Sequence, residues 1–195
     1  MDALAALAIG YLLGSIPFGL ILTRLAGAGD LRAIGSGNIG ATNVLRTGNK
    51  GLAAATLLLD GLKGFVAVLV AWRYWPDAAG FAALGAIVGH CFPVWLRFRG
   101  GKGVATAGGA CLGLAWPLGA IYAGAWVSVL AMSRISSLAG LAAAVAAPVA
   151  ALVLGYTALI PVLAAIAVIV LIQHRANIAR LRAGTEPRIG SRDRA

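Results

Sequence analysis

The sequence predicts an all-α, polytopic membrane protein with seven transmembrane helices, N-terminus outside and C-terminus cytosolic. Three observations lead there. Of 195 residues, 61% are hydrophobic and only 11% charged, with mean hydropathy +0.91; soluble domains are about half apolar and about a quarter charged. Apolar runs close to the roughly 20 residues that cross a hydrocarbon core recur along the chain. There are 16 Lys and Arg against 6 Asp and Glu, and most of the basic residues gather between those runs.

The spans follow in order. Residues 3–25 form the first run. Only Asp2 precedes it as a charge, and no cleavage site follows, so it reads as a retained helix and not a signal peptide. Residues 51–72 and 78–96 form the second and third. Residues 103–133 are too long for one crossing and short for two. Charge decides between them. Basic residues collect at Arg24, Arg32, Arg46 and Lys50, at Arg97, Arg99 and Lys102, at Arg134, and in a tail of Arg175, Arg180, Arg182, Arg188, Arg192 and Arg194. Basic loops belong on the cytoplasmic side. For all four groups to share it, residues 103–133 must cross twice. Trp116-Pro117 supplies the turn, because proline starts helices and disfavours helical geometry before it. Spans 103–116, which is short, and 117–133 result, and 136–155 and 157–173 complete seven. Residues 1–195 read as a single integral-membrane domain. Gly85 with Gly89, and Gly109 with Gly113, have the spacing that lets helix backbones approach closely. Cys91 and Cys111 lie inside apolar runs and give neither a CxxC spacing nor a disulfide framework. The formal charge of +10 fits anionic headgroups and anionic substrates here, and not nucleic acid.

Three polar stretches fall on the inner face. "SGNIGATNVLR", residues 36–46, offers Ser36, Asn38, Thr42, Asn43 and Arg46 among glycines. A helix cap needs one such residue, so this is an excess. "RFRGGKGVAT", residues 97–106, pairs Gly100 and Gly101 before Lys102 and Gly103. Paired glycines can turn backbone N–H groups toward an anion at a helix start. It is not a Walker A loop, which needs Ser or Thr after the lysine and another glycine five residues earlier. "HRANIARLRAGTE", residues 174–186, sets His174, Asn177 and Leu181 on one helical face. Lipid anchoring explains the arginines there but not His174 or Asn177. "SRISS", residues 133–137, adds Ser136 and Ser137. Within the second span, Asp60 and Lys63 are spaced to pair, as a structural or a catalytic couple. His90 reads as a helix-end or supporting residue, since a metal ligand set is missing around it.

This inventory offers repeated anion binding and no recognisable nucleophile–base spacing. It suits two phosphate-bearing substrates at a lipid boundary, with chemistry dominated by positioning and electrostatics. A small anion channel or transporter, or a membrane phosphatase using His90 and His174, are the competing classes.

Together with "LLDGLKG", residues 58–64, these stretches resemble the motifs of the bacterial acyl-phosphate-dependent glycerol-3-phosphate acyltransferases, the PlsY family. The resemblance covers nearly the whole chain. It implies a seven-helix enzyme of the bacterial inner membrane with a cytosolic active site; a monomer among membrane lipids, with no cofactor or metal, is expected. The implied reaction moves a fatty acyl group from acyl phosphate to the 1-hydroxyl of sn-glycerol 3-phosphate, giving lysophosphatidic acid. Carried onto this sequence, Ser36, Lys102 and His174 are the expected catalytic residues. Arg46, Asn38, Thr42, Asn43, Gly100, Gly101, Gly103, Ser136, Ser137 and Asn177 are the expected substrate-binding ones. Acyl phosphate is already activated, so direct attack by the glycerol hydroxyl needs no acyl-enzyme. The base is then His174 or, preferably, a substrate phosphate. Ile39 stands where the family commonly has proline.

Overall fold

The computed structural model describes residues 1–190; Arg192 and Arg194 of the expected basic tail, with Asp193, lie outside the described residues. Among these, helices are joined by loops and short 3₁₀ turns, and no strand occurs. The helices are α1 (Asp2–Gly14), α2 (Phe18–Leu25), α3 (Ala41–Val44), α4 (Lys50–Tyr74), α5 (Ala79–Cys91), α6 (Val104–Leu114), α7 (Trp116–Ser133), α8 (Ser136–Val153), α9 (Ile160–Gln173) and α10 (Arg175–Arg182).

Five stretches are long and apolar enough to cross a membrane: Asp2–Leu25, Lys50–Tyr74, Pro76–Leu96, Trp116–Ser133 and Ser136–Val153. Thr157–Gln173 continues into α10 across a bend of 64°. The expected short fourth span is α6, with 11 residues. At 1.5 Å per residue it is about 17 Å long, against a hydrocarbon core of about 30 Å. It ends where Ala115 becomes extended, and Pro117 sits in the first turn of α7, as the Trp116-Pro117 pair foretold.

The first span is broken, not continuous. Pro17 has no N–H to continue the ladder, so α1 stops at Gly14 and α2 restarts at Phe18. The break is tied to the loop after α5. Trp95 Nε1 donates to the Ser15 carbonyl at 2.8 Å, and the Tyr11 hydroxyl donates to the Phe92 carbonyl at 3.0 Å.

Packing holds the helices together, because lipid removes most of the hydrophobic gain between them. Side chains such as Leu62, Val127, Val149 and Val168 stay exposed on the outer surface, where hydrocarbon is their solvent. Between helices the residues are small. A Cβ at Gly85 or Gly89 would overlap the carbonyls of Leu7 and Tyr11 in α1, and one at Gly109 would overlap the Gly61 carbonyl in α4. The GxxxG pairs are therefore packing devices, as their spacing suggested. Asp60 and Lys63 do pair, 2.6 Å apart and buried in α4.

Candidate functional site

One cavity of about 570 Å³ opens where the polar stretches meet. Ser36, Asn38, Thr42, Asn43 and Arg46 line it from the first stretch, Lys102 and Gly103 from the second, Ser136 and Ser137 from the start of α8, and His174 and Asn177 from the last. Eleven of the thirteen expected site residues thus share one wall. Gly100 and Gly101 are not among them.

Their exclusion has a structural cause. The Gly100 N–H donates to the Cys91 carbonyl and the Gly101 N–H to the His90 carbonyl, both at 3.0 Å. These amides close the end of α5 and cannot converge on an anion, so the expected glycine nest does not form. What the two glycines supply is room. A Cβ at Gly100 would overlap the His90 carbonyl, and one at Gly101 the His90 imidazole. Gly103, at φ +83°, caps α6 in the left-handed region that favours glycine. The start of α6 lies on the cavity, where Val104 and Ala105 also line the wall.

The first stretch is organised by Asn43, which is buried. Its Nδ2 donates to the carbonyls of Leu31, Ile34 and Asn38 at 2.8–3.0 Å. Its Oδ1 accepts from the N–H and hydroxyl of Ser36 at 3.2 and 3.3 Å. The excess of polar residues therefore divides. Asn43 holds the loop from inside, and Asn38 Oδ1 accepts from the Gly40 N–H at 2.9 Å. The Thr42 hydroxyl is 2.9 Å from that of Ser136. Arg46 reaches past Gly35 into the cavity, exposed and with no ion pair among the described residues. Asp30 is used locally. Its bidentate pairing with Arg32, closest at 2.6 Å, holds its carboxyl well below the usual carboxylate range.

The third stretch is not one continuous helix end. His174 leaves helical geometry at φ −95°, ψ 8°, and α10 departs at 64°. The chain is bolted there, because His174 Nδ1 lies 2.8 Å from the Val170 carbonyl and Gln173 Nε2 donates to the Gly101 carbonyl at 3.0 Å. A carbonyl only accepts, so Nδ1 carries the proton and Nε2 keeps its lone pair. Burial pushes the imidazole down to about 4; the Val170 bond opposes this and Lys102 adds to it. His174 is therefore neutral near pH 7.

Lys102 and Asn177 meet, with Nζ donating to Oδ1 at 2.5 Å. Asn177 Nδ2 donates in turn to Glu186 Oε1, which also accepts from the Ser137 hydroxyl at 2.6 Å, while Arg180 Nε binds Oε2 at 2.6 Å. Burial lowers the Lys102 pKa; Glu186 opposes that, and Arg180 and Arg46 reinforce it. For Glu186, burial alone would raise the pKa. Hydrogen bonds from Ser137, Asn177 and Arg180 outweigh burial and hold the carboxyl below its ordinary range. Glu186, at the end of the quoted third stretch, was not among the expected site residues. Its one signal was being a carboxylate, with Asp193, in a basic tail. Asp60 and His90 also reach the cavity wall. Among the described residues, no three of His, Cys, Asp and Glu converge as metal ligands do.

The cavity wall is thus cationic, with Arg46, Lys50, Lys102 and Arg180 against the paired Glu186 and Asp60. Among the described residues no hydrogen bond joins a serine of the wall to His174: the Ser36 hydroxyl donates to Asn43 Oδ1, that of Ser136 meets Thr42, and that of Ser137 donates to Glu186.

Known proteins match this arrangement along nearly the whole chain. A glycerol-3-phosphate acyltransferase of Erythrobacter litoralis is 62% identical over 98% of this chain and 98% of its own length. One of Brucella anthropi is 60% identical over 98% and 96%. The crystal structure of PlsY, an integral membrane glycerol 3-phosphate acyltransferase, in its glycerol 3-phosphate form superposes with a TM-score of 0.91. It is 36% identical and covers 97% of this chain and 96% of that one. Its lysophosphatidic acid form gives a TM-score of 0.89 at 35% identity, over the same shares. Residues 4–184 match the family described as glycerol-3-phosphate acyltransferase, and the chain belongs to that family.

Proposed function

We propose that this protein transfers a fatty acyl group from acyl phosphate to the 1-hydroxyl of sn-glycerol 3-phosphate, as an early step of phospholipid synthesis. The products are lysophosphatidic acid and inorganic phosphate. The observation that carries this reading is a cationic cavity without a nucleophile–base pair. Arg46 and Lys102 can hold phosphate groups there, and the Ser36 hydroxyl and His174 Nε2 offer hydrogen bonds to a substrate hydroxyl.

In the proposed step the glycerol O1 attacks the acyl carbonyl carbon, the bond from that carbon to the phosphate oxygen breaks, and phosphate leaves with the electron pair. Lys102 and the N-terminus of α6 stabilise the developing negative charge. Ser36, Arg46, His174 and Asn177 orient glycerol phosphate. An imidazole held at about 4 is a weak proton acceptor at neutral pH. A phosphate monoester, with its second pKa near about 6, is the better one, so the hydroxyl proton passes to substrate phosphate and His174 orients. We place the site on the cytosolic face of a bacterial inner membrane, in a monomer of seven spans, on the strength of the basic loops that surround it.

The test supplies purified protein with radiolabelled glycerol 3-phosphate and acyl phosphate, acyl-CoA or acyl carrier protein in turn. Labelled lysophosphatidic acid from acyl phosphate alone is expected. Product from acyl-CoA or acyl carrier protein overturns the donor, and free fatty acid without transfer points to hydrolysis.

A further inference from the structure

Asp60, Lys63 and His90 form a charged cluster inside the helical bundle, each at least 95% buried. Packing alone has no need of charges there, and ionisable groups within a span default to a functional role. The Lys63 ammonium sits 2.6 Å from Asp60 Oδ1, donates to the Ile16 carbonyl at 2.8 Å, and lies 5.8 Å from the centre of the Phe18 ring. It thereby ties α4 to the break between α1 and α2. On the other side, His90 Nδ1 stands 3.8 Å from the same Asp60 oxygen.

His90 is where the cluster touches the site. Its carbonyl accepts the Gly101 N–H at 3.0 Å, and its imidazole fills the space that a Cβ on Gly101 would need. The Gly101 carbonyl takes the Gln173 amide. Lys102 follows directly, and its only hydrogen bond among the described residues is to Asn177. The ring of His90 is thus a seat under the loop, and Asp60 faces that ring from below.

We propose that Asp60, Lys63 and His90 are positioning residues, which seat the glycine-lysine loop and so place the Lys102 ammonium in the cavity. This rests on the reading of Lys102 as the phosphate-binding cation. The cluster acts from within the membrane on a group that touches substrate, and none of the three residues need touch substrate itself.

Coupling to Lys102 separates this role from a general structural one. Residues that act through one another are not additive, whereas independent ones are. The full chain, reconstituted in phospholipid, is assayed for glycerol 3-phosphate acylation as Asp60→Asn, as Asp60→Asn/Lys63→Met, and as His90→Gln, each with Lys102 intact and with Lys102→Ala. With Lys102 intact, each cluster variant should lower kcat/KM by about tenfold or more, chiefly by raising KM for glycerol 3-phosphate. In the Lys102→Ala background the same changes should cost less than about threefold. Losses that multiply overturn the positioning role, as do wild-type kinetics of the folded protein. The charge-neutral double variant and His90→Gln cover the case in which Asp60→Asn fails to fold; if none folds, the cluster serves stability alone and the proposal fails. A Lys102→Ala enzyme with wild-type KM and kcat overturns the role of Lys102 itself. Multiplying losses beside an impaired Lys102→Ala overturn only the positioning.

Discussion

Lys102 Nζ and Asn177 Oδ1 meet at 2.5 Å across 75 residues of sequence. The contact joins the glycine-lysine loop to the helix after the last span, and Asn177 passes the link on to Glu186. Replacing Asn177 by Ala removes the ammonium's hydrogen-bond partner and leaves its charge. Hydrogen bonds to charged groups are worth about 1.5–3 kcal/mol, so kcat/KM for glycerol 3-phosphate should fall about tenfold to a hundredfold. Steady-state kinetics check this, with Tm reporting whether the fold is kept. Asn177→Asp places a second carboxylate beside Glu186 and should fare no better.

The His174 imidazole titrates at about 4 in the folded protein against 6.5 ordinarily, chiefly because burial disfavours its cation. Between those values an unfolded chain binds a proton here that the folded one does not. Stability therefore falls as pH drops from about 6.5 to about 4, and is unaffected by this group above 6.5. At about 1.4 kcal/mol per pH unit the full loss is about 3 kcal/mol. Thermal unfolding followed from pH 7 to pH 4.5 should show Tm falling, and His174→Gln should flatten that fall. Turnover should show no inflection near pH 6.5 from His174, since the neutral imidazole is present on both sides.

Glycine substitutions should separate by what stands in front of them. A Cβ at Gly109 overlaps the backbone carbonyl of Gly61, which cannot step aside, whereas nothing lies within 4 Å of a Cβ at Gly124. Gly109→Ala forces α4 and α6 apart and should destabilise by about 1–3 kcal/mol. Gly124→Ala, within α7, should stabilise by up to about 1 kcal/mol through helix propensity alone. Tm in one detergent compares the two directly, and equal shifts would refute the close α4–α6 contact.

Much of this architecture was legible because two signals reinforced each other. Apolar runs marked the long helices, and the basic residues between them drew residues 36–46, 97–106 and 174–186 into one site. What stayed hidden depended on partners distant in sequence. Whether the Gly100 and Gly101 amides point at an anion or at the end of α5 depends on where α5 stops, and the glycines carry no mark of it. The i, i+3, i+7 spacing of His174, Asn177 and Leu181 suits an unbroken helix. The helix breaks where Gln173 reaches Gly101, 72 residues away. Glu186 looked like a stray acid because Ser137, 49 residues earlier, is adjacent only after folding. Within "SGNIGATNVLR", composition announced too many polar groups for a cap, but not which of them face inward.

Asn43 and Thr42, neighbours in that stretch, should respond very differently to substitution. The Asn43 side chain takes part in hydrogen bonds to Leu31, Ile34, Asn38 and Ser36 and is buried, while Thr42 makes a single exposed contact to Ser136. Asn43→Asp keeps the shape but replaces the donor with an acceptor facing three carbonyls. Each carbonyl left unpaired in a buried setting costs about 1–3 kcal/mol, and the loop cannot hold its turn through residues 31–40. Activity should fall at least about a hundredfold, and the loop should become open to proteolysis near Arg32. Thr42→Val loses one exposed hydrogen bond, worth about 1 kcal/mol or less, so kcat/KM should stay within about fivefold of wild type. Limited proteolysis beside the kinetics tells the two roles apart. An Asn43→Asp enzyme that is inactive yet as protease-resistant as wild type would show that Asn43 serves the substrate directly and that the loop holds without it.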